Sequence, residues 1–395
     1  MDRPTFKSAS HNGVLLREEQ KKSRSFLRWG IVIVAGVLIL VLLFVVPFPY
    51  VVRKPGVTLN VLGSANGVPM LQIEGTDPAT GEPIQQDEPQ SSEYDAPAKP
   101  GQSQLRMTTI TDLSGGEDGL SLMNLLDAYC DPHSEILHRD EVIPADWTLQ
   151  RVNQFQLDGL DRAKETSQVA AFEYLGWEVP ATVTIEGAAE GANAEGIVQQ
   201  GDILRAITTP DGVRHEITSA ATPFALMHAV PAGSTITLTV ERGGTALDLS
   251  LTTITNPDYP GSSLPGIVLL VEPVFPLSVS VQMSDVSGGS VGLMLALGII
   301  DRLTPGDMTG GNVIAGTGTM SYDGQVGGIG GIQQKLWGAH RDGAQWFLAP
   351  SENCNEVVGH VPDGLRVVSV STLDEAVNAV RSIADGTGDA LPTCQ

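Results

Sequence analysis

Residues 287–303 read SGGSVGLMLALGIIDRL. Two glycines stand before Ser290, and from there to Leu303 the chain is apolar on every face until Asp301-Arg302. That pattern predicts a helix buried all round and stopped by Pro305-Gly306. Pro276–Met283 alternates and predicts a strand leading in. A serine at the mouth of such a helix has two readings. It can be an N-cap that satisfies a first-turn amide. It can also be a nucleophile, because glycines let a substrate carbonyl approach and free first-turn amides can hold an oxyanion.

A second segment bears on the choice. Val313–Thr319 predicts a strand, Asp323-Gly324 a turn, and Val326-Gly327-Gly328-Ile329-Gly330-Gly331 leads into a helix that carries Lys335. A cation in the first helical turn is disfavoured by the dipole. An ordinary lysine has a pKa near 10.4, so holding it neutral at pH 7 costs about 4–5 kcal/mol. Desolvation beside Leu336 and Trp337 adds to the dipole effect. A neutral lysine can take a serine proton as general base. The plain alternative is a solvated surface lysine.

Taken together, Gly289-Ser290-Val291-Gly292-Leu293-Met294, Thr317-Gly318, Gly324, Val326, Ile329-Gly330-Gly331 and Lys335 resemble the proteolytic domain of Lon-type serine proteases. The likeness is to the membrane-anchored, PDZ-containing branch of Gram-positive bacteria. It implies an α+β catalytic domain over 265–395 with Ser290 as nucleophile and Lys335 as general base. Thr317 is then a hydroxyl that hydrogen-bonds the lysine. Gly101–Ile110 (GQSQLRMTTI) and Glu165–Leu175 (ETSQVAAFEYL) resemble the first half of the same domain, within 57–176. Where the family usually has Pro-Ser-Ala, this chain has Gly289-Ser290-Val291, a looser turn with added β-branched bulk. Members assemble in rings, which implies a homo-oligomer.

Between these halves, residues 178–256 change to short strands and tight turns. Ala181–Ile185, Ile203–Thr208, Ser234–Glu241 and Ala246–Thr252 predict strands, and Pro223–Val230 predicts a helix. Gly201-Asp202-Ile203-Leu204, Ala229-Val230-Pro231-Ala232-Gly233 and TITLTVERG (235–243) resemble a bacterial PDZ domain, a β-rich partial barrel inserted in the protease. The resemblance implies capture of peptide strands. Tyr174-Leu175-Gly176-Trp177 reads either as its carboxylate loop or as a helix C-cap followed by a core aromatic.

Farther out, Ile31–Val46 is an uncharged apolar run with Trp29, Phe48 and Tyr50 at its rims. With its flanks (29–50) it is long enough for a transmembrane helix. A signal peptide is the alternative, but the leader is long and no small-x-small cleavage site follows. The basic head, residues 1–28, is then cytoplasmic and the body extracytoplasmic. The formal charge is −23. Residues 1–54 hold nine bases and three acids, which leaves 14 bases and 43 acids for the rest. An acidic body excludes a nucleic-acid surface. Residues 76–104 are Pro-, Gly- and acid-rich and predict a disordered loop. Of three cysteines, Cys354 and Cys394 can pair in an exported chain, and Cys130 is expected as a buried thiol. No Cys/His spacing suits a metal, and no Gly-x-x-x-x-Gly-Lys-Ser/Thr occurs, so neither cofactor nor ATP is expected.

The reading is an ATP-independent serine endopeptidase acting on protein or peptide substrates. Two rivals stand beside it. One is an α/β-hydrolase elbow, Gly288-Gly289-Ser290-Val291-Gly292 with His340 or His360. The other is a tethered PDZ scaffold with an inactive protease fold.

Overall fold

The computed structural model describes residues 29–38, 40–41, 47–65, 67–78, 80–84, 95–96, 98–99, 101–114, 119–256, 262–283 and 286–394. Two compact units result, Met1–Val52 with Asp112–Ala145, and Arg53–Thr111 with Asp146–Gln395.

In the first unit, residues 29–38 and 40–41 are helical. Among the described residues no helix is long and apolar enough to cross a membrane. The rest of the expected span, 39 and 42–46, and the basic head at 1–28 lie outside them. Helix α1 (Leu122–Cys130) starts on Ser121, whose hydroxyl accepts from the Asn124 amide. Val52, Leu120 and Ala128 form a small core with Tyr50, Leu113 and Leu125 beside it. Cys130 is exposed, not buried as expected. The cause is local: α1 buries only Ala128, so its C-terminal thiol has no apolar wall to enter.

The second unit is built on a mixed layer. Its strands are β1 (Tyr50–Asn60), β2 (Leu71–Glu74), β3 (Gln104–Leu113), β4 (Ala181–Ala188), β5 (Asp202–Thr208), β6 (Arg214–Glu216), β7 (Thr235–Arg242), β8 (Thr245–Thr252), β9 (Ile267–Pro273), β10 (Ser278–Val281), β11 (Val313–Gly316), β12 (Thr319–Met320), β13 (Val326–Gly327), β14 (Trp346–Pro350) and β15 (Arg366–Val370). The helices are α2 (Leu149–Tyr174), α3 (Thr222–Ala229), α4 (Gly292–Leu303), α5 (Ile332–Arg341) and α6 (Leu373–Ala384).

One sheet runs in the order β15-β14-β11-β3-β1. Strand β11 lies parallel to both β14 and β3, and β14 lies parallel to β15. Parallel strands covered by helices read as continuous apolar runs, and all four residues of β11 are buried. Helix α4 is the centrepiece. Leu293, Met294, Leu295, Ala296 and Leu297 are fully buried, which is why its sequence lacks a polar stripe. At its end Arg302 donates from Nη2 to the Leu62 carbonyl at 2.7 Å.

Helix α2 begins at Leu149, with the Thr148 hydroxyl accepting from the Arg151 amide at 3.2 Å. Phe155 and Leu157 are exposed in this first half, so its sequence shows no apolar stripe. The other end settles the reading of Tyr174–Trp177. Leu175 is the C-cap, Gly176 has φ +81°, and Trp177 packs on Phe172 with ring centroids 5.8 Å apart. This is a helix cap followed by a core aromatic.

A second sheet has the order β8-β7-β5-β4-β9, with β6 beside β5, and its main ladders are antiparallel. Ile236, Leu238 and Val240 of β7 point inward, the two-residue period of a half-buried strand. The sheet runs on past residue 256, because β9 pairs with β4 through Val271 opposite Val183. Of the expected disordered loop 76–104, residues 79, 85–94, 97 and 100 lie outside the described residues; in the rest, Thr76 bridges to Pro83 and Gln104 opens β3. Cys354 and Cys394 form a disulfide with Cα atoms 4.8 Å apart. In the chain-entropy account, closing a loop of this size contributes about 4 kcal/mol.

Candidate active site

Strand β11 ends at Gly316 and delivers Thr317 to the edge of α4. The Thr317 amide donates to the Leu348 carbonyl at 3.2 Å, which ties it to the sheet. Ser290 lies in a single 3-10 turn, Gly289–Val291, that runs directly into α4. Its carbonyl accepts from the Gly318 amide and from Thr317 Oγ1, both at 3.0 Å. Gly288 sets the entry to the turn. It has φ +87°, and its amide donates to the Gln156 carbonyl of α2 at 2.9 Å. A Cβ there would lie 2.6 Å from Gln156 Oε1.

Lys335 arrives from the other side, one turn into α5. Gly331 precedes the helix in the left-handed region (φ +71°), and a Cβ on it would sit 2.9 Å from Arg53 Cδ and Ile110 Cγ2. The loop ahead of it is clamped. Glu352 Oε2 accepts from the Gly328 amide at 2.7 Å, and Asn353 both accepts from Ile329 N at 2.9 Å and donates to Ile329 O at 2.8 Å. Sequence reasoning missed Glu352 and Asn353, because nothing in their spacing shows that β14 carries them back to this loop.

The three polar residues converge. Lys335 Nζ lies 2.7 Å from Ser290 Oγ and 2.9 Å from Thr317 Oγ1. Lys335 is 2 % exposed and Thr317 is fully buried. Burial, and then the charge of Arg53, push the lysine down to about 7 from its ordinary 10.5. No acid stands in the first turn of α5 to oppose this. Near neutral pH a substantial fraction of the amine is therefore neutral, with its lone pair beside the serine hydroxyl. The first amides of α4 are engaged: Gly292 N donates to the Gly289 carbonyl and Leu293 N to the Gly318 carbonyl at 3.1 Å. The group can move a proton from a serine and stabilise negative charge beside it.

Two expected supporting positions behave differently. Val291 is buried in the core cluster. Gly289 is open: a Cβ there would meet only Gly159 O at 3.6 Å and Thr319 Cγ2 at 3.7 Å. Gly289→Ala is therefore expected to hold activity within about twofold, since it adds only ordinary contacts. Gly331→Ala is expected to lose most activity and about 1–3 kcal/mol of stability, through a strained φ and the clash with Arg53. Rates and urea midpoints of the two variants check this.

His360 is exposed, with Nδ1 near the Val358 carbonyl. His340 sits against Trp337 with ring centroids 6.0 Å apart. The Ser290 hydroxyl is met by Lys335, not by either histidine. Among the described residues no group of three or more Asp, Glu, His or Cys could hold a metal.

Comparison with known proteins agrees with this region of the chain. The Lon protease (S16) C-terminal proteolytic domain matches residues 284–382. The Lon protease of Clostridioides difficile (strain 630) is 34% identical over 93 residues, which are 23% of this chain and 12% of that protein. Lon protease 2 of Bacillus subtilis (strain 168) is 31% identical over 97 residues, 24% of this chain and 17% of the relative. The chain thus spans less than a fifth of the curated relatives it matches. Among solved structures, the PDZ domain of an SdrC-like protein from Listeria innocua is 23% identical and covers 22% of this chain and 92% of its own, with a TM-score of 0.20. A PDZ domain of an SdrC-like protein from Listeria monocytogenes is 17% identical over 22% of this chain and 86% of its own, also at 0.20. Residues 284–382, the part of the chain that matches the Lon protease (S16) C-terminal proteolytic domain, carry Ser290, Thr317 and Lys335.

Proposed function

We propose that the chain is an ATP-independent serine endopeptidase in which Ser290 is the nucleophile and Lys335 the general base. The observation that carries this is the 2.7 Å contact between a buried lysine amine and the serine hydroxyl. Neutral Lys335 takes the Ser290 proton as Oγ bonds to the scissile carbonyl carbon. The resulting oxyanion develops beside the Gly289–Val291 turn and the newly formed Lys335 ammonium. The ammonium returns its proton to the leaving amine as the peptide bond breaks, which leaves an acyl ester on Ser290. A water molecule, deprotonated by the same amine, then releases the acid and restores the hydroxyl. Thr317 holds the amine on line with the serine, since its hydroxyl lies 2.9 Å from Nζ and bonds the serine carbonyl.

The setting of the enzyme follows from sequence. The apolar segment from Trp29 to Tyr50 anchors it in a membrane, with the basic head in the cytoplasm and the acidic body outside. Substrates are extracytoplasmic proteins or peptides. The PDZ-like sheet recruits or gates them through β9, the terminal strand of its order, which offers an edge to an added strand. Copies of the chain assemble into a homo-oligomer, by likeness to ring-forming Lon-type domains.

The test is digestion of an unfolded protein such as casein by the full chain in detergent, with and without ATP, beside its Ser290→Ala variant. Cleavage that is lost in the variant and indifferent to ATP is expected. If the wild-type chain leaves casein intact and Ser290 resists a fluorophosphonate probe, the scaffold reading replaces this one.

A further inference from the structure

Tyr322 is absorbed by neither the catalytic trio nor the sheet that takes peptides, yet it touches the elements on both sides. It lies in the turn between β12 and β13, and its ring stacks on Phe224 of α3 with centroids 4.9 Å apart and an interplanar angle of 29°. Its hydroxyl donates to the Glu165 carboxylate of α2. Burial, and then Glu165, push the phenol above its ordinary value, so it stays a neutral donor. A cavity of about 660 Å³ opens here, lined by Phe224, Met227 and Tyr322, by Glu165, and by Val268 and Leu270 of β9. Ser263 also lines it, and its buried hydroxyl has no hydrogen-bond partner among the described residues.

The two elements that Tyr322 bridges both grip the turn of Ser290. On α2, the Gln156 carbonyl holds the Gly288 amide, and Ser167 Oγ donates to the Gly292 carbonyl at 2.8 Å. A Cβ on Gly159 would lie 3.4 Å from Gly289 N, so helix and turn run backbone against backbone. On the hairpin, the Thr319 methyl faces Gly289, and Met320 approaches Gly292 so closely that a Cβ there would be 2.9 Å from it. The hairpin register, Thr319 opposite Gly327 and Met320 opposite Val326, makes these contacts one piece with Tyr322.

The geometry points to Tyr322 as a positioning residue that links the cavity beside β9 to the nucleophile turn. An extended peptide laid along β9 meets Phe224 and Tyr322, which line one cavity with Val268 and Leu270. Moving that stacked pair shifts the hairpin and α2, and with them the amides that hold Ser290. This rests on the nucleophile reading only for its chemical readout, because the linkage itself is one of packing.

The test uses the full chain with Tyr322→Phe, which keeps the ring and drops the hydroxyl, Phe224→Leu, which keeps an apolar side chain and drops the stack, and the double variant. Two quantities are read: the rate at which a fluorophosphonate probe modifies Ser290, and hydrogen exchange at the Gly288, Leu293 and Gly318 amides. Each single variant is expected to slow modification and speed exchange at those amides by about fivefold. The double variant is expected to do no more than the larger single one, the signature of one shared path. The Val380 amide in α6 should exchange as in wild type, which separates a local shift from general loosening. Unchanged exchange at the three amides in both single variants overturns the proposal, as does a double effect equal to the product of the singles. If wild-type Ser290 is never modified but exchange responds as described, the linkage stands and the nucleophile assignment falls.

Discussion

Replacing Lys335 by methionine is expected to abolish peptide hydrolysis and, at the same time, to make the fold more stable. The loss of rate follows from removing the amine 2.7 Å from Ser290 Oγ, a step worth about 10²–10⁴-fold when a general base is deleted. The gain in stability follows from the lysine's surroundings. Its folded value, about 7, lies below the ordinary 10.5, so between those pH values the unfolded chain holds a proton that the folded chain has released. Stability therefore rises with pH across that window, and the penalty is fully present below its lower edge. At about 1.4 kcal/mol per unit, the penalty at pH 6 is on the order of 5 kcal/mol. Methionine fills a similar volume without the charge. The variant should gain most in urea midpoint at pH 6 and gain little at pH 10. A midpoint difference that does not change with pH would show that the lysine is not desolvated. The same titration predicts that wild-type kcat rises as pH passes about 7 and levels above it, since only the neutral amine accepts the serine proton.

The second large effect falls far from the chemistry. Arg106 of β3 is 0 % exposed, and each nitrogen of its guanidinium donates a hydrogen bond. Nε donates to Thr58 Oγ1 at 2.6 Å, Nη2 to the Thr58 carbonyl at 2.7 Å, and Nη1 to Gln104 Oε1 at 2.6 Å and the Ala96 carbonyl at 2.9 Å. Burial pulls its pKa down while Asp342 and Asp95 hold it up, so the charge is retained inside the fold. Asp342 is tied to the same threonine, accepting from its amide and its hydroxyl at 3.0 Å each. Arg106→Leu leaves these acceptors buried and unpaired, at an expected cost of about 3–5 kcal/mol. The damage should reach the site. Arg106 pairs in register with Ala315, and the next residue, Met107, pairs with Gly316, just before Thr317. Urea unfolding with parallel casein assays checks both parts. A loss below about 1 kcal/mol would mean that water replaces the guanidinium, and would sink the prediction.

How far the site was legible depended on the kind of signal each residue left. Ser290 and Lys335 each stood between two readings on local chemistry alone, an N-cap or a nucleophile and a surface cation or a base, and the family likeness of the combined motifs chose between them. Thr317 was readable only beside them, through family likeness. Tyr322, Glu165, Asn353 and Arg106 left no such mark. Each matters through a partner at a distance: Glu165 lies 157 residues from Tyr322, and Thr58 lies 48 from Arg106. The exposed Cys130 was misread because burial of a thiol depends on what packs over a helix end, which no pattern within nine residues records.

By itself the sequence determined α4, the strand at β11 and the helix that carries Lys335, since period and breakers act within a few residues. It also placed a serine and a lysine at two helix starts. Tertiary structure alone decided that they meet. The 2.7 Å contact between them depends on β11 lying parallel between β3 and β14, on Gly331 turning α5 beneath the sheet edge, and on enough apolar cover to strip water from the amine. Those conditions are long-range, and the free energy of a desolvated charge is set by every group around it rather than by its neighbours in the chain.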